Sequence, residues 1–220
     1  DPNDIPAVAI VDPELMYSMP KGLTAATGMD ALTHAIESYI TPGAWVMSDM
    51  FELKAIEMIA QNLKAAVDNG KDVAAREAMS QAQYIAGMGF SNVGLGIVHS
   101  MAHPLGAFYD TPHGVANALL LPYVMEYNAE SPAAPKYIHI AKAMGVDTTG
   151  MSEAEGVKAA IEAVKALSIS INIPQKLHEI NVKEEDIPAL AVAAYNDVCT
   201  GGNPRPTSVA DIEALYHKAF

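Results

Sequence analysis

The stretch SNVGLGIVHSMAHPL, from Ser91 to Leu105, carries small or apolar residues on nearly every side of a helical projection. A helix with so little polar surface belongs at the centre of a domain, enclosed by other helices. That requirement alone points to a fold in which helices pack around a buried one. It also draws attention to His99 and His103, four residues apart within the stretch.

The rest of the chain supplies the enclosing helices. Lys21–Ile40 places Leu23, Ala26, Leu32, Ala35, Ile36 and Tyr39 at the spacing of one buried face and stops at Thr41-Pro42-Gly43. Ser48 or Asp49 starts a helix to about Val67, halted by Asn69-Gly70, and Asp72–Phe90 forms a third. His113–Glu126 is a second buried helix, with Pro112 before its start and Pro122 set to kink it. Tyr137–Met144 is short, and Ser152-Glu-Ala-Glu155 is a capping box opening a helix through Leu167. After an irregular piece at Asn172–Ile180, Glu184–Val198 and Ser208–Ala219 are the last helices. The expectation is an all-α domain of eight to ten helices over residues 21–220.

Residues 1–20 are extended and punctuated by Pro2, Pro6, Pro13 and Pro20, with a β-type run at Ala7–Val11. A lone strand is not stable without partners. The segment therefore reads as a strand remnant at the junction with a preceding domain, and residue 1 as a point inside a longer protein.

Half of the 220 residues are hydrophobic and 18% are charged, which suits a well-packed helical protein. The net charge of −13, with scattered basic residues, argues against a nucleic-acid partner. The longest nearly apolar run, Val115–Val124, contains Asn117 and Pro122 and is too short to span a bilayer. A single cysteine, Cys199, leaves no internal disulfide and fits a reducing cytoplasm.

Chemistry concentrates in two segments. Asp30 and His34 lie four apart on one predicted helix face, His99 and His103 repeat that spacing, and His113 opens the next helix. A short turn between the last two helices can return His113 towards His99. Neutral imidazoles and a carboxylate suit a borderline divalent metal. An unpaired carboxylate on a buried helix is costly, which favours a shared ion over unrelated core side chains. Spacing alone leaves hydrogen-bonded core histidines as the alternative, and that is the reading given to His139, His178 and His217.

The segments GMDALTHAIESY and GLGIVHSMAHPLGAFYDTPHG and the CTGGNPR loop resemble the iron-dependent (group III) alcohol dehydrogenase family over essentially the whole chain. The resemblance is nearest to the branch that interconverts lactaldehyde and 1,2-propanediol. It implies a metal site of Asp30, His34, His99 and His113 for Fe²⁺, with Zn²⁺ able to take its place. It implies that His103 is not a ligand but lies beside the nicotinamide and the substrate, placed for proton transfer or for orienting the alcohol. Phe90 and Cys199 match positions that line the active-site cleft.

In that family a Rossmann-like N-terminal half holds NAD through a Gly-Gly-Gly-Ser loop and a Thr-Thr stretch, and neither occurs here. Gly87-x-Gly89 and Gly94-x-Gly96 follow no predicted strand and are better explained by close helix packing. The resemblance thus implies the helical C-terminal domain of an NAD-dependent enzyme acting on small alcohols or aldehydes. Its expected partners are the substrate, the missing NAD-binding domain and further copies in a homo-oligomer, and the isolated chain is expected to turn over little. Two other readings stay open. One is a non-catalytic metal-binding or interaction domain; the other is a zinc-using, glycerol-dehydrogenase-like enzyme with fewer ligands.

Overall fold

The computed structural model describes residues 6–220, which form nine α-helices joined by turns and short 3-10 segments. Helix α1 (Lys21–Ile40) follows Pro20 and ends at Thr41, whose ψ of 148° is the extended setting that a following proline imposes. Met29, Leu32, Ala35 and Ile36 on α1 are fully buried. Helix α2 (Val46–Asp68) begins before Ser48, whose hydroxyl reaches back to accept from the Trp45 N–H at 3.0 Å. Helix α3 (Val73–Val93) is capped by Asp72, which accepts from the Ala75 N–H at 3.1 Å. These three helices pack against one another. The fully buried Arg76 ties them to the preceding segment through the Thr24 hydroxyl and the Gly70 and Met19 carbonyls.

The continuous helix expected over Ser91–Leu105 is in fact two helices. Helix α3 stops at Val93, Gly94 turns at φ 85°, and the chain re-enters helix α4 (Ile97–Tyr109) after Gly96. A positive φ is open to glycine without strain. The freed N–H groups at the start of α4 find side-chain acceptors, Val98 on Glu37 at 2.7 Å and Ile97 on Asn203 at 3.5 Å. Gly-Leu-Gly satisfies the small-apolar pattern of a buried helix equally well as a break, so periodicity alone could not separate the two. Pro104 lies within α4 and does not end it.

Helix α5 (His113–Asn128) is the other apolar helix, with Ala116, Leu119, Leu120, Leu121 and Val124 all buried, and it packs on α1, α4, α7 and α9. The remaining helices are α6 (Tyr137–Ala143), α7 (Glu153–Ser170), α8 (Ile187–Tyr195) and α9 (Val209–Ala219). The Ser152/Glu155 capping box is present as expected. The single helix expected over Glu184–Val198 is a 3-10 turn, Glu184–Asp186, followed by α8. Beyond α8, Asp197 caps a further 3-10 turn, Val198–Gly202.

The strand expected at Ala7–Val11 is not formed. The segment is exposed, and no strand occurs among the described residues to share its hydrogen bonds. Residues 1–5 of the expected junction lie outside the described residues. No helix among the described residues is long and apolar enough to cross a membrane.

Candidate metal centre

Helix α1 presents Asp30 and His34 one turn apart, and two turns from Asp30 it presents Glu37. Across from it stands α4 with His99 and His103, while α5 begins with His113. One ligand atom from each of Asp30, His99 and His113 converges, all within 4.8 Å of one another. The Asp30 Oδ1 lies 3.4 Å from His113 Nε2 and 3.9 Å from His99 Nε2. Asn117, one turn after His113, donates from Nδ2 to Asp30 Oδ1 at 2.7 Å and to His113 Nε2 at 3.0 Å.

His34 stands outside this converging trio. Its Nδ1–H donates to the Asp30 carbonyl at 2.8 Å, and its ring rests against His99 and Phe90 with centroids 4.3 and 4.5 Å away. A carbonyl can only accept, so the proton sits on Nδ1 and the His34 Nε2 keeps its lone pair. His103 is further out, half-exposed, stacked on His113 and hydrogen-bonded through Nδ1 to Asp197 at 2.7 Å. Phe90, Asp30 and His34 share the lining of a cavity of about 380 Å³ with Met16, Thr27 and Arg76. Cys199 is not among its lining residues; its N–H donates to Asp197, and burial beside that carboxylate pushes its thiol up to about 12. The thiol therefore stays protonated at neutral pH.

These residues fit a divalent ion on structural grounds. His99 Nε2 is buried, has no hydrogen-bond partner and faces the Asp30 carboxylate. A buried imidazole lone pair without a hydrogen-bond partner, set beside a carboxylate oxygen, is stabilised by a cation between them. Burial lowers the pKa of His34, and neighbouring His99 lowers it further; burial likewise lowers that of His113. Both are thereby held in the neutral form that binds metals. At His99 burial works downward too, but the Glu37 and Asp30 carboxylates outweigh it and raise the pKa.

Three polar residues of the site were not anticipated from sequence: Glu37, Asn117 and Asp197. Glu37 and Asn117 had a signal, being seven residues after Asp30 and four after His113 on the same helix faces. Asp197 had none, because it reaches His103 from a loop 94 residues away.

The spacing between α1 and α5 depends on Gly114. A Cβ there would stand 2.4 Å from the Ala26 carbonyl oxygen, a backbone atom one turn before Asp30. Gly114→Ala is expected to cost roughly 1–3 kcal/mol as the helices separate and to weaken metal binding by moving His113 away from Asp30. Urea unfolding and metal titration check both, and unchanged values would show that α5 shifts freely.

A family model described as "Fe-containing alcohol dehydrogenase family, C-terminal" matches residues 24–220. Lactaldehyde reductase of Escherichia coli (strain K12) is 59% identical over 220 residues, covering 100% of this chain and 57% of that protein. NAD-dependent methanol dehydrogenase of Bacillus methanolicus is 45% identical over 220 residues, 100% of this chain and 58% of that protein. Among solved structures, a 1,3-propanediol oxidoreductase superimposes with a TM-score of 0.96 at 47% identity, over 98% of this chain and 56% of that one. The chain thus spans a little over half the length of the curated relatives it matches.

Proposed function

Because this chain belongs to the Fe-containing alcohol dehydrogenase family and matches its C-terminal part, we propose that it is the metal-binding portion of an NAD-dependent oxidoreductase. Its proposed substrates are a small alcohol or diol and the matching aldehyde, with 1,2-propanediol and lactaldehyde as the pair. The observation that carries this reading is the convergence of Asp30, His99 and His113 around a buried, unpartnered imidazole nitrogen.

We assign Asp30, His34, His99 and His113 as the residues that would hold iron, or zinc in its place, since imidazole-rich sites accept both. Such an ion, when bound, supplies a Lewis acid for the substrate oxygen. His103 is the proton-transfer residue of this proposal. Asp197 holds its Nδ1–H, so Nε2 is free to exchange a proton at the open side of the site. Phe90 gives the cavity an apolar wall next to His34, against which the carbon skeleton of a short alcohol can pack. Dinucleotide binding is assigned to sequence that the longer relatives have and this chain does not. A homo-oligomer in the cytoplasm completes the proposal.

Full-length protein containing this segment is expected to oxidise NADH when given lactaldehyde, and to lose that activity on chelation. Residues 1–220 alone are expected to bind one equivalent of metal and to show no NADH-dependent turnover. Robust turnover by the isolated chain would overturn the division of labour. Failure to bind metal would overturn the centre itself.

A further inference from the structure

The two ring nitrogens of His99 have opposite surroundings. Nε2 is buried without a partner and faces Asp30, while Nδ1 is held by the Oε2 atom of Glu37 at 2.5 Å. The other Glu37 oxygen accepts the Val98 N–H at 2.7 Å. Glu37 is itself buried, 2% exposed, so both oxygens of one enclosed carboxylate are taken by adjacent residues of α4. Glu37 and Asp30 lie on one face of α1, and that helix therefore approaches both sides of the same imidazole.

We propose that Glu37 is a positioning residue for the metal centre, holding the proton of His99 on Nδ1 so that Nε2 points as a bare lone pair between Asp30 and His113. The inference rests on the metal-site reading above. In a neutral imidazole one nitrogen carries the proton and the other accepts, and the choice follows the hydrogen bond that the first nitrogen makes. Without an acceptor at Nδ1 the proton would move to Nε2 and bond to Asp30. The inward face of the ring would then be closed to a cation. The Val98 N–H bond adds a geometric constraint, because it fixes the carboxylate against the backbone of the residue preceding His99. Removing partners of this kind typically costs 10–100-fold in metal affinity.

The test compares the parent chain with Glu37→Gln, using Co²⁺ as the probe, with affinity read by calorimetry and geometry by the visible absorption of bound Co²⁺. Nitrogen–proton correlation NMR of the metal-free proteins reads the His99 tautomer independently of any metal. The parent is expected to show His99 protonated on Nδ1. In the Gln variant, which can present an acceptor to only one of the two α4 donors, the proton is expected to shift towards Nε2. Co²⁺ affinity is expected to fall 10–100-fold, with an altered spectrum. Glu37 loses this role if the parent shows the Nε2–H tautomer, or if the variant keeps the parent's tautomer and affinity. The parent spectrum alone decides the question should the variant fail to fold. A parent chain that binds no Co²⁺ would overturn the metal reading and the proposal with it, whereas equal binding by both proteins would overturn the role of Glu37 alone.

Discussion

The double variant His99→Ala/His113→Ala is expected to lose metal retention, with affinity falling roughly a thousand-fold or more because two imidazole donors vanish from one site. His99 supplies the buried face of the cluster and His113 its more exposed face, each meeting the same Asp30 oxygen. With both gone, Asp30 and the displaced His34 ring remain, and one carboxylate with one imidazole holds a divalent ion poorly. The fold should survive, since the core residues Leu32, Met101 and Leu119 are untouched and His113 is half-exposed. Elemental analysis after dialysis, with thermal unfolding as the control, measures both quantities. His34→Ala refines the result. Because His34 lies outside the converging trio, a variant that keeps its metal would favour a three-ligand centre, and a loss of tenfold or more would make His34 the fourth ligand. A double variant that binds metal as tightly as the parent would sink the assignment.

How far the sequence could be read depended on how local each signal was. The bounds of α1 follow from Pro20 and Pro42, and its internal pairing of Asp30 with His34 follows from helical spacing, so both were legible. The double-histidine stretch likewise marked the family and the helical architecture. The break at Gly94–Gly96 was not legible, because small apolar residues satisfy a buried helix and a tight crossing alike. What decides between them is tertiary: Glu37 and Asn203 wait as acceptors for the first N–H groups of α4. The same holds for Asp197, whose contact with His103 depends on how α8 and the following turn lie against α4. Nor could the sequence show that His34 turns its Nδ1 to its own helix backbone. That choice belongs to a side-chain rotamer held by the Asp30 carbonyl and by the packed Phe90 and His99 rings together.

Away from the metal centre, Glu52→Gln is expected to remove a pH-dependent instability from the helical core. Glu52 on α2 is fully buried over Gly89 of α3, and neither of its oxygens has a hydrogen-bond partner. The Ser38 hydroxyl of α1 is nearby but already donates to the His34 carbonyl. Burial, helped slightly by Asp49, moves the carboxyl from 4.5 up to about 8. The sign then follows from linkage. Below pH 4.5 the acid is protonated whether the chain is folded or unfolded, and no penalty exists. Between 4.5 and about 8 the unfolded chain releases the proton while the folded chain keeps it, so stability falls by about 1.4 kcal/mol per pH unit. Above about 8 the folded chain must bury the charge and the penalty is complete, with an upper bound on the order of 5 kcal/mol. Glutamine keeps the shape and cannot ionise. Its amide adds an unsatisfied donor costing about 1–3 kcal/mol at every pH, so at pH 4.5 the variant should be the less stable protein. By pH 9 the order should reverse, with the variant ahead by a few kcal/mol, or roughly 5–10 °C in Tm for a chain of this length. Comparing the two chelated proteins at each pH cancels every other titrating group. Parallel stability curves across pH 4–9 would show that Glu52 ionises in the folded core as freely as in water.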